Sequence, residues 1–299
     1  MPIRTEPVLP EEDWQLRLHA PEDGSGVGTL TLDYPEKLNL WSWEATRQQG
    51  VLADRVRFDD RIRVLLVKAE GRAFCAGVDL GMPEDRVTGR SPAEKVRNYY
   101  EGIRWVHERF RVFRDLPQPI VCAVQGYCLG FGFELALMCD IRVAADDALF
   151  ALPEAQVGVS IDAGGDLRLA HEIGAGHAKL LALTGRRITA AEAERLGIVQ
   201  QVTTRDELVP AAAAIAAEVA ANAPLAVQSI KRTRRSPAAR LGRLHELGWA
   251  VSWLCSPYAA FVTGHTLVVD GANWLRRDFV MPEFTPVADQ LSQVLRPAE

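Results

Sequence analysis

Apolar residues form short strand-like runs and longer helix-like segments that alternate along the first two thirds of the chain. "VGTLTL", "RVLLVKAEG" and "PIVCAVQG" have the length and the β-branched content of strands. The segments between them, residues 42–60 and 92–116, carry apolar positions at helical spacing. Strands that alternate with helices predict an α/β protein with a mostly parallel sheet.

Apolar residues at helical spacing dominate the C-terminal third of the sequence. Thr189 and Glu192 stand three residues apart before an apolar run, which predicts a capping box at a helix start. An alanine-rich helix is expected over residues 207–224 and further helices up to residue 256. Residues 1–25 are rich in Pro and Glu and are expected to form a surface arm.

Composition and charge exclude several classes of protein. The 299 residues are 48% hydrophobic and 24% charged, enough to close a core. A net charge of -5 argues against a nucleic-acid partner, which would need a dominant basic face. The five cysteines lack paired spacing, which is typical of free thiols in a reducing compartment. No signal peptide and no membrane span is expected, so the predicted location is cytoplasmic.

Common cofactor motifs are missing from the sequence. It has no phosphate loop of the Gly-x4-Gly-Lys-Ser/Thr type and no Gly-x-Ser-x-Gly elbow. The six histidines are scattered without ligand spacing, so no metal site is expected.

Two glycine-punctuated loops follow buried strand patterns. The first is "CAGVD" at residues 75–79, and the second is Gly130-Phe131-Gly132 at a helix start. Such loops expose backbone N–H groups, and two of these aimed at one point would form an oxyanion hole. The alternative is that both are ordinary strand-to-helix turns.

Three acids stand on loops or helix starts beside apolar stretches: Glu134, Glu154 and Asp162. Mutual repulsion and burial would raise their pKa values toward neutrality, which suits general acid–base work. The alternatives are charge complementarity at a helix N-terminus for Glu134, an exposed turn for Glu154 and an N-cap for Asp162.

"RAFCAGVDL", followed by "PIVCAVQGYCLGFGFELALMCDIRVAADDALFALPEAQVGV", resembles the crotonase superfamily of enoyl-CoA hydratases and isomerases. "GRRITAAEAERLGIV" and "APLAVQSIK" follow in the family's order. The resemblance implies an α/β fold, a spiral of β-β-α units with a helical C-terminal trimerisation region. The expected organisation is an arm at 1–25, the spiral core at 26–205, a helical region at 206–256 and a strand-like tail at 257–299.

The resemblance also implies roles for individual residues. The backbone N–H groups of Val78 and Phe131 would form the oxyanion hole, although Phe replaces the family's usual Gly at 131. Its ring would narrow the acyl channel if it lay there. Glu134 would activate a water for attack at C3 of a 2-enoyl-CoA, and Glu154 would deliver a proton to C2. No cofactor is implied beyond the coenzyme A of the substrate.

Asp162 keeps an isomerase alternative open. Typical hydratases carry Gly at this position, whereas several isomerases of the superfamily carry Asp. Dienoyl-CoA isomerases use an acid triplet at positions matching Glu134, Glu154 and Asp162, although their first acid is usually Asp. A non-catalytic CoA-binding member is the third possibility.

The expected partner is an acyl-CoA, and the expected assembly is a homotrimer or homohexamer. The resemblance places CoA contacts at residues near the two loops: Lys37, Leu38, Arg72, Ala76 and Asp79. "KRTRR" at 231–235 is either a further phosphate contact or a solvated helix face.

The C-terminal segment "SPYAAFVTGHTLVVDGANW" resembles instead the closing segment of short-chain dehydrogenases. The cofactor loop and the Tyr-x3-Lys pair of those enzymes are missing from the sequence, so a structural or interfacial role is expected. A dehydrogenase remnant is the alternative.

Overall fold

A computed structural model of the chain describes residues 9–79 and 90–235. The strands are β1 (Leu16–His19), β2 (Val27–Leu32), β3 (Val64–Ala69), β4 (Ile120–Val124), β5 (Tyr127–Leu129), β6 (Ile141–Ala145), β7 (Leu149–Ala151), β8 (Ile188–Thr189) and β9 (Gln201–Thr203). The helices are α1 (Trp43–Phe58), α2 (Pro92–Arg114), α3 (Phe131–Met138), α4 (Gly165–Thr184), α5 (Ala190–Leu196), α6 (Leu208–Ala221) and α7 (Pro224–Arg235). The helices expected after residue 235 and the tail at 257–299 lie outside the described residues.

The strands form two sheets. The larger has the order β1-β2-β3-β4-β6-β9, and β5, β7 and β8 form the smaller. In the larger sheet only the β1–β2 pair is antiparallel, and the four pairs from β2 to β9 are parallel. The mostly parallel sheet predicted from the alternation of strands and helices is therefore confirmed.

Both faces of the larger sheet are covered, because side chains alternate along its buried strands. On β3, Val64 and Leu66 face α6, which packs Ala212, Ala216 and Ala220 against them. The small alanine side chains, one helical turn apart, let α6 lie close to the sheet. Leu65 and its alternate neighbours enter the main core on the other face.

Helix starts follow the capping signals of the sequence. The Ser42 side chain accepts a hydrogen bond from the Ala45 N–H at the start of α1, and Thr189 accepts one from the Glu192 N–H at the start of α5. Both caps satisfy a backbone donor that has no partner inside the helix.

The N-terminal segment differs from the expected surface arm. Leu16–His19 forms the edge strand β1, whose Leu16 is paired with Leu32 of β2 and is buried. Trp14 is buried as well. The prediction of an arm over residues 1–25 is therefore wrong from Trp14 to His19. The polar and Pro-rich flanks hid a strand only four residues long.

Among the described residues, no single helix is long and apolar enough to cross a membrane. Helix α6 and the first part of α7 reach the required length and composition only together, and the chain bends by 109° between them. The alanine face of α6 is buried against the larger sheet.

Candidate active site

The two glycine-punctuated loops lie side by side. The Cys75 N–H donates to the Tyr127 carbonyl at 3.0 Å, and the Leu129 N–H donates to the Cys75 carbonyl at 3.0 Å. A methyl group placed on Gly130 would lie 3.9 Å from the Cα atom of Gly77. The structure therefore brings together the two segments that were predicted to supply an oxyanion hole.

The Val78 N–H takes no part in the isolated parallel bridge between Val78 and Trp41. The Trp41 N–H donates to the Gly77 carbonyl at 2.8 Å, and the Asp79 N–H donates to the Trp41 carbonyl at 3.1 Å. In a parallel bridge these bonds turn the flanking peptide groups toward Trp41, so the N–H of Val78 itself points away from it. No described residue accepts a hydrogen bond from this N–H.

The second loop depends on its glycines. Gly130 has φ 53° and ψ -123°, a conformation open in practice only to glycine. A side chain on Gly132 would overlap the Cys75 carbonyl oxygen. Phe131 is the first residue of α3, so its N–H has no carbonyl partner one turn earlier in the helix.

The Phe131 ring packs into the core. Phe131 is 4% exposed, and its ring lies between those of Trp41, at a centroid distance of 4.9 Å, and Phe110, at 4.6 Å, tilted against both. The Trp41 indole is fixed in turn by donating to the Thr46 hydroxyl at 3.0 Å. The packing of the Phe131 ring therefore stabilises the loop that contains the Phe131 N–H.

Glu134 is a buried carboxyl with one fixed hydrogen bond. It is 2% exposed, and its Oε1 accepts from the Gly165 N–H at 2.8 Å. Burial raises the pKa of Glu134 to about 7, and the charges of Asp162 and Glu154 act in the same direction. The Gly165 hydrogen bond and the charge of Arg168 oppose the rise. A carboxyl with this pKa can exchange a proton near neutral pH.

Glu154 approaches the second loop from a short 3-10 turn, Glu154–Val157. A methyl group on Gly130 would lie 3.1 Å from Glu154 Oε1. Glu154 Oε2 is buried and accepts no hydrogen bond among the described residues. Burial raises the pKa of Glu154, the hydrogen bond from its own backbone N–H lowers it, and the charge of Asp162 raises it.

Asp162 is exposed in the loop before α4 and acts electrostatically on both glutamates. The N-cap of α4 is Gly164, so the alternative reading of Asp162 as an N-cap is wrong. Asp162, Ala163 and Gly164 line a pocket of about 330 Å³. The structure thus gathers the three predicted acids around one region.

Two of the residues expected to contact CoA, Leu38 and Ala76, are in direct contact. The Ala76 N–H donates to the Leu38 carbonyl at 3.1 Å, which ties the two segments together. A side-chain hydrogen bond with Tyr34 raises the pKa of the exposed Lys37 ammonium, and the charge of Asp79 contributes as well. Arg72 is exposed nearby in sequence.

Lys231 does not fit the expected phosphate contact. It is 7% exposed, pairs with Asp140 at 2.7 Å and donates to the Gln118 carbonyl. Its ammonium group is therefore already held inside the fold. The side chains of residues 233–235 lie outside the described part of the chain.

The sequence reading missed Arg168, on the first turn of α4. Its guanidinium donates to the Ala163 carbonyl, and its charge acts on Glu134. Burial lowers the pKa of Arg168 to about 10, so it remains protonated at neutral pH. The sequence signal that could have identified Arg168 is its position three residues after Gly165, whose N–H donates to Glu134.

The sequence is similar to known proteins of one family. The family model for enoyl-CoA hydratase/isomerase matches residues 22–243. The carnitinyl-CoA dehydratase of Proteus mirabilis is 37% identical over 220 residues, covering 73% of this chain and 80% of that protein. The short-chain-enoyl-CoA hydratase of Clostridium acetobutylicum is 33% identical over 210 residues, covering 69% and 76%.

A solved structure, the enoyl-CoA hydratase from Bacillus anthracis, superimposes with a TM-score of 0.66 at 32% identity, covering 75% of this chain and 83% of that one. The crotonase fold implied by the sequence resemblance is thus confirmed. The chain belongs to the enoyl-CoA hydratase/isomerase family, whose members are lyases and isomerases.

Proposed function

We propose that this enzyme adds water reversibly across the 2,3 double bond of an enoyl-CoA thioester. The observation that carries the proposal is the pair of carboxyls beneath the second loop. Glu134 is buried with its pKa raised to about 7, and Glu154 keeps a buried oxygen without a hydrogen-bond partner among the described residues. Two interacting carboxyls can share a single proton, as an addition of water requires.

In the proposed reaction, the N–H groups of Val78 and Phe131 bind the thioester oxygen. Glu134 takes a proton from water, and the oxygen of that water bonds to C3. The electrons of the double bond move toward the thioester oxygen, and C2 then takes the proton of Glu154. One oxyanion donor is worth about 3 kcal/mol in such sites.

The resting position of the shared proton bears on the direction of the reaction. With a pKa of about 7, Glu134 is half protonated at neutral pH. Hydration needs the proton on Glu154 and dehydration needs it on Glu134, so the pair can start either direction. Two relatives are named a dehydratase and a hydratase, which are the two directions of this chemistry.

An isomerase reaction is the second candidate, because the charge of Asp162 acts on Glu154. These two acids would move a proton along a conjugated 3,5-dienoyl-CoA. A CoA-binding protein without turnover is the remaining alternative, but it gives no reason for a carboxyl as costly to bury as Glu134.

The test is to incubate the protein with crotonyl-CoA and with a 3,5-dienoyl-CoA while following absorbance. Loss of the crotonyl-CoA chromophore is expected, with formation of 3-hydroxybutyryl-CoA. The Glu154→Gln variant should lose at least about a hundredfold in rate. The control is Glu12→Gln, on an exposed turn, which should keep the full rate. A full rate in Glu154→Gln would overturn the assignment.

The assembly as a homotrimer or homohexamer is also proposed. The described part of the chain leaves large apolar side chains exposed on and just after the turn Glu154–Val157 and on α4: Val157, Val159, Leu167 and Leu183. A second copy of the chain would cover them. The cytoplasmic location stays a prediction from the sequence.

A further inference from the structure

The pocket of about 330 Å³ lies between helix α2 and the start of α4. Phe110 and Met138 are its buried apolar residues. A pocket of this volume has room for a short acyl tail.

The pocket adjoins the proposed reaction centre at several points. Asp162 lines the pocket, and its charge raises the pKa values of both Glu134 and Glu154. Its residue Phe110 packs on Phe131, whose N–H is proposed to bind the thioester oxygen. Arg168 lines the pocket and acts on Glu134. An acyl chain that extends from the reacting carbons toward Asp162 and Arg168 would enter the pocket.

The charged lining is predominantly basic. Arg111, Arg114 and Arg168 face the pocket together with one acid, Asp162. The Arg114 guanidinium donates a hydrogen bond to the Asp115 carboxylate at 3.1 Å. The Arg111 guanidinium has no ion-pair partner among the residues that the structure describes.

Arg168 provides a second observation. Its Nε atom is buried and makes no hydrogen bond to any described residue. A buried guanidinium donor without an acceptor is costly, and a bound carboxylate would satisfy it. Planar, forked guanidinium groups are the side chains that best match a carboxylate.

We propose that this pocket selects an acyl group that ends in a carboxylate, as in a dicarboxylic acid monothioester. The proposal rests on the acyl-CoA chemistry proposed above and names the substrate class of the same site. It also separates this enzyme from the relative named for carnitinyl-CoA. A carnitinyl group carries a quaternary ammonium, which three arginines would repel.

The test compares two saturated thioesters of equal carbon number, glutaryl-CoA and pentanoyl-CoA, by titration calorimetry. Glutaryl-CoA should bind about tenfold more tightly, the effect of one hydrogen bond to a charged group. Arg111→Gln should bring the two dissociation constants toward each other, and Arg111→Glu should reverse their order. Arg111 is exposed, so neither change disturbs the core.

The matched control is Arg104→Gln, two turns earlier on α2 and paired with Glu101 outside the pocket. It should leave the preference of the wild-type protein intact. Equal affinity of the wild-type protein for both thioesters would overturn the proposal. An equal loss for both thioesters in Arg111→Gln would overturn it too, because the arginine would then bind coenzyme A itself.

Turnover separates this proposal from the proposed function. The corresponding 2-enoyl thioesters, glutaconyl-CoA and pent-2-enoyl-CoA, are assayed for hydration. A binding preference for glutaryl-CoA without hydration of either enoyl thioester would refute the hydratase and keep the pocket. Hydration of both at equal kcat/KM, with equal affinities, would keep the hydratase and refute the pocket.

Discussion

Replacing Glu134 by Gln should abolish activity and stabilise the fold at the same time. The carboxyl is 2% exposed, and burial raises its pKa from the ordinary 4.5 to about 7. The folded protein therefore binds more protons than the unfolded chain between these pH values. Its free energy of unfolding falls as the pH rises from 4.5 through about 7 and then levels off.

The magnitude follows from that difference in pKa. It amounts to about 2.5 units at about 1.36 kcal/mol each, so the ionised Glu134 costs the fold about 3 kcal/mol above pH 7. A glutamine keeps the oxygen that accepts from the Gly165 N–H and carries no charge. Its amide group can leave one donor unsatisfied, at about 1 kcal/mol. The expected gain is therefore about 1–3 kcal/mol at pH 8.

The assay is urea unfolding of both proteins at equal concentration, at pH 8 and again at pH 5. The variant should be more stable at pH 8, and the difference should shrink at pH 5, where the carboxyl is protonated in the folded wild type. Glu12→Gln, at an exposed position, is the matched control and should follow the wild type at both pH values. A variant less stable than the wild type at pH 8 would refute the reasoning on desolvation.

Three further results are expected. Gly130→Ala should cost about 1–3 kcal/mol in the free energy of unfolding and most of the activity, because alanine strains the loop and its methyl group approaches Glu154 at 3.1 Å. The pH profile of kcat/KM for crotonyl-CoA should show a limb near pH 7, shifted to lower pH in Asp162→Asn because that charge raises the pKa values of both glutamates. An unshifted limb would contradict the electrostatic link. Leu183→Glu should reduce the assembly seen by light scattering, whereas Val96→Glu, at a similarly exposed position on α2, should not; equal effects would contradict the proposed interface.

The order of strands and helices could be predicted because each element carries its own local signal. The strand β4 is an uninterrupted apolar run, and α1 begins directly after a capping serine. The edge strand β1 could not be predicted in this way. Its four residues include an arginine and a histidine, and its structure depends on pairing with β2.

The same distinction between local signals and tertiary contacts applies to the site. The glycines and acids of the two loops were visible as residues that a simple core would not need, and the structure brings Glu134 and Glu154 to the same loop. The contribution of Arg168 was hidden, because it arises from tertiary contacts with Ala163 and Glu134. The position of the Phe131 ring was equally hidden, since Trp41 and Phe110 come from distant segments.

The most direct test of the proposed catalysis is a crystal structure with butyryl-CoA, a saturated thioester that cannot accept water. The thioester oxygen should lie about 2.7–3.1 Å from the N atoms of both Val78 and Phe131. The carboxyls of Glu134 and Glu154 should lie beside C2 and C3, with room for one water. The account would be contradicted by a thioester oxygen bound away from these two amides. It would also be contradicted by carboxyls of Glu134 and Glu154 that lie far from C2 and C3.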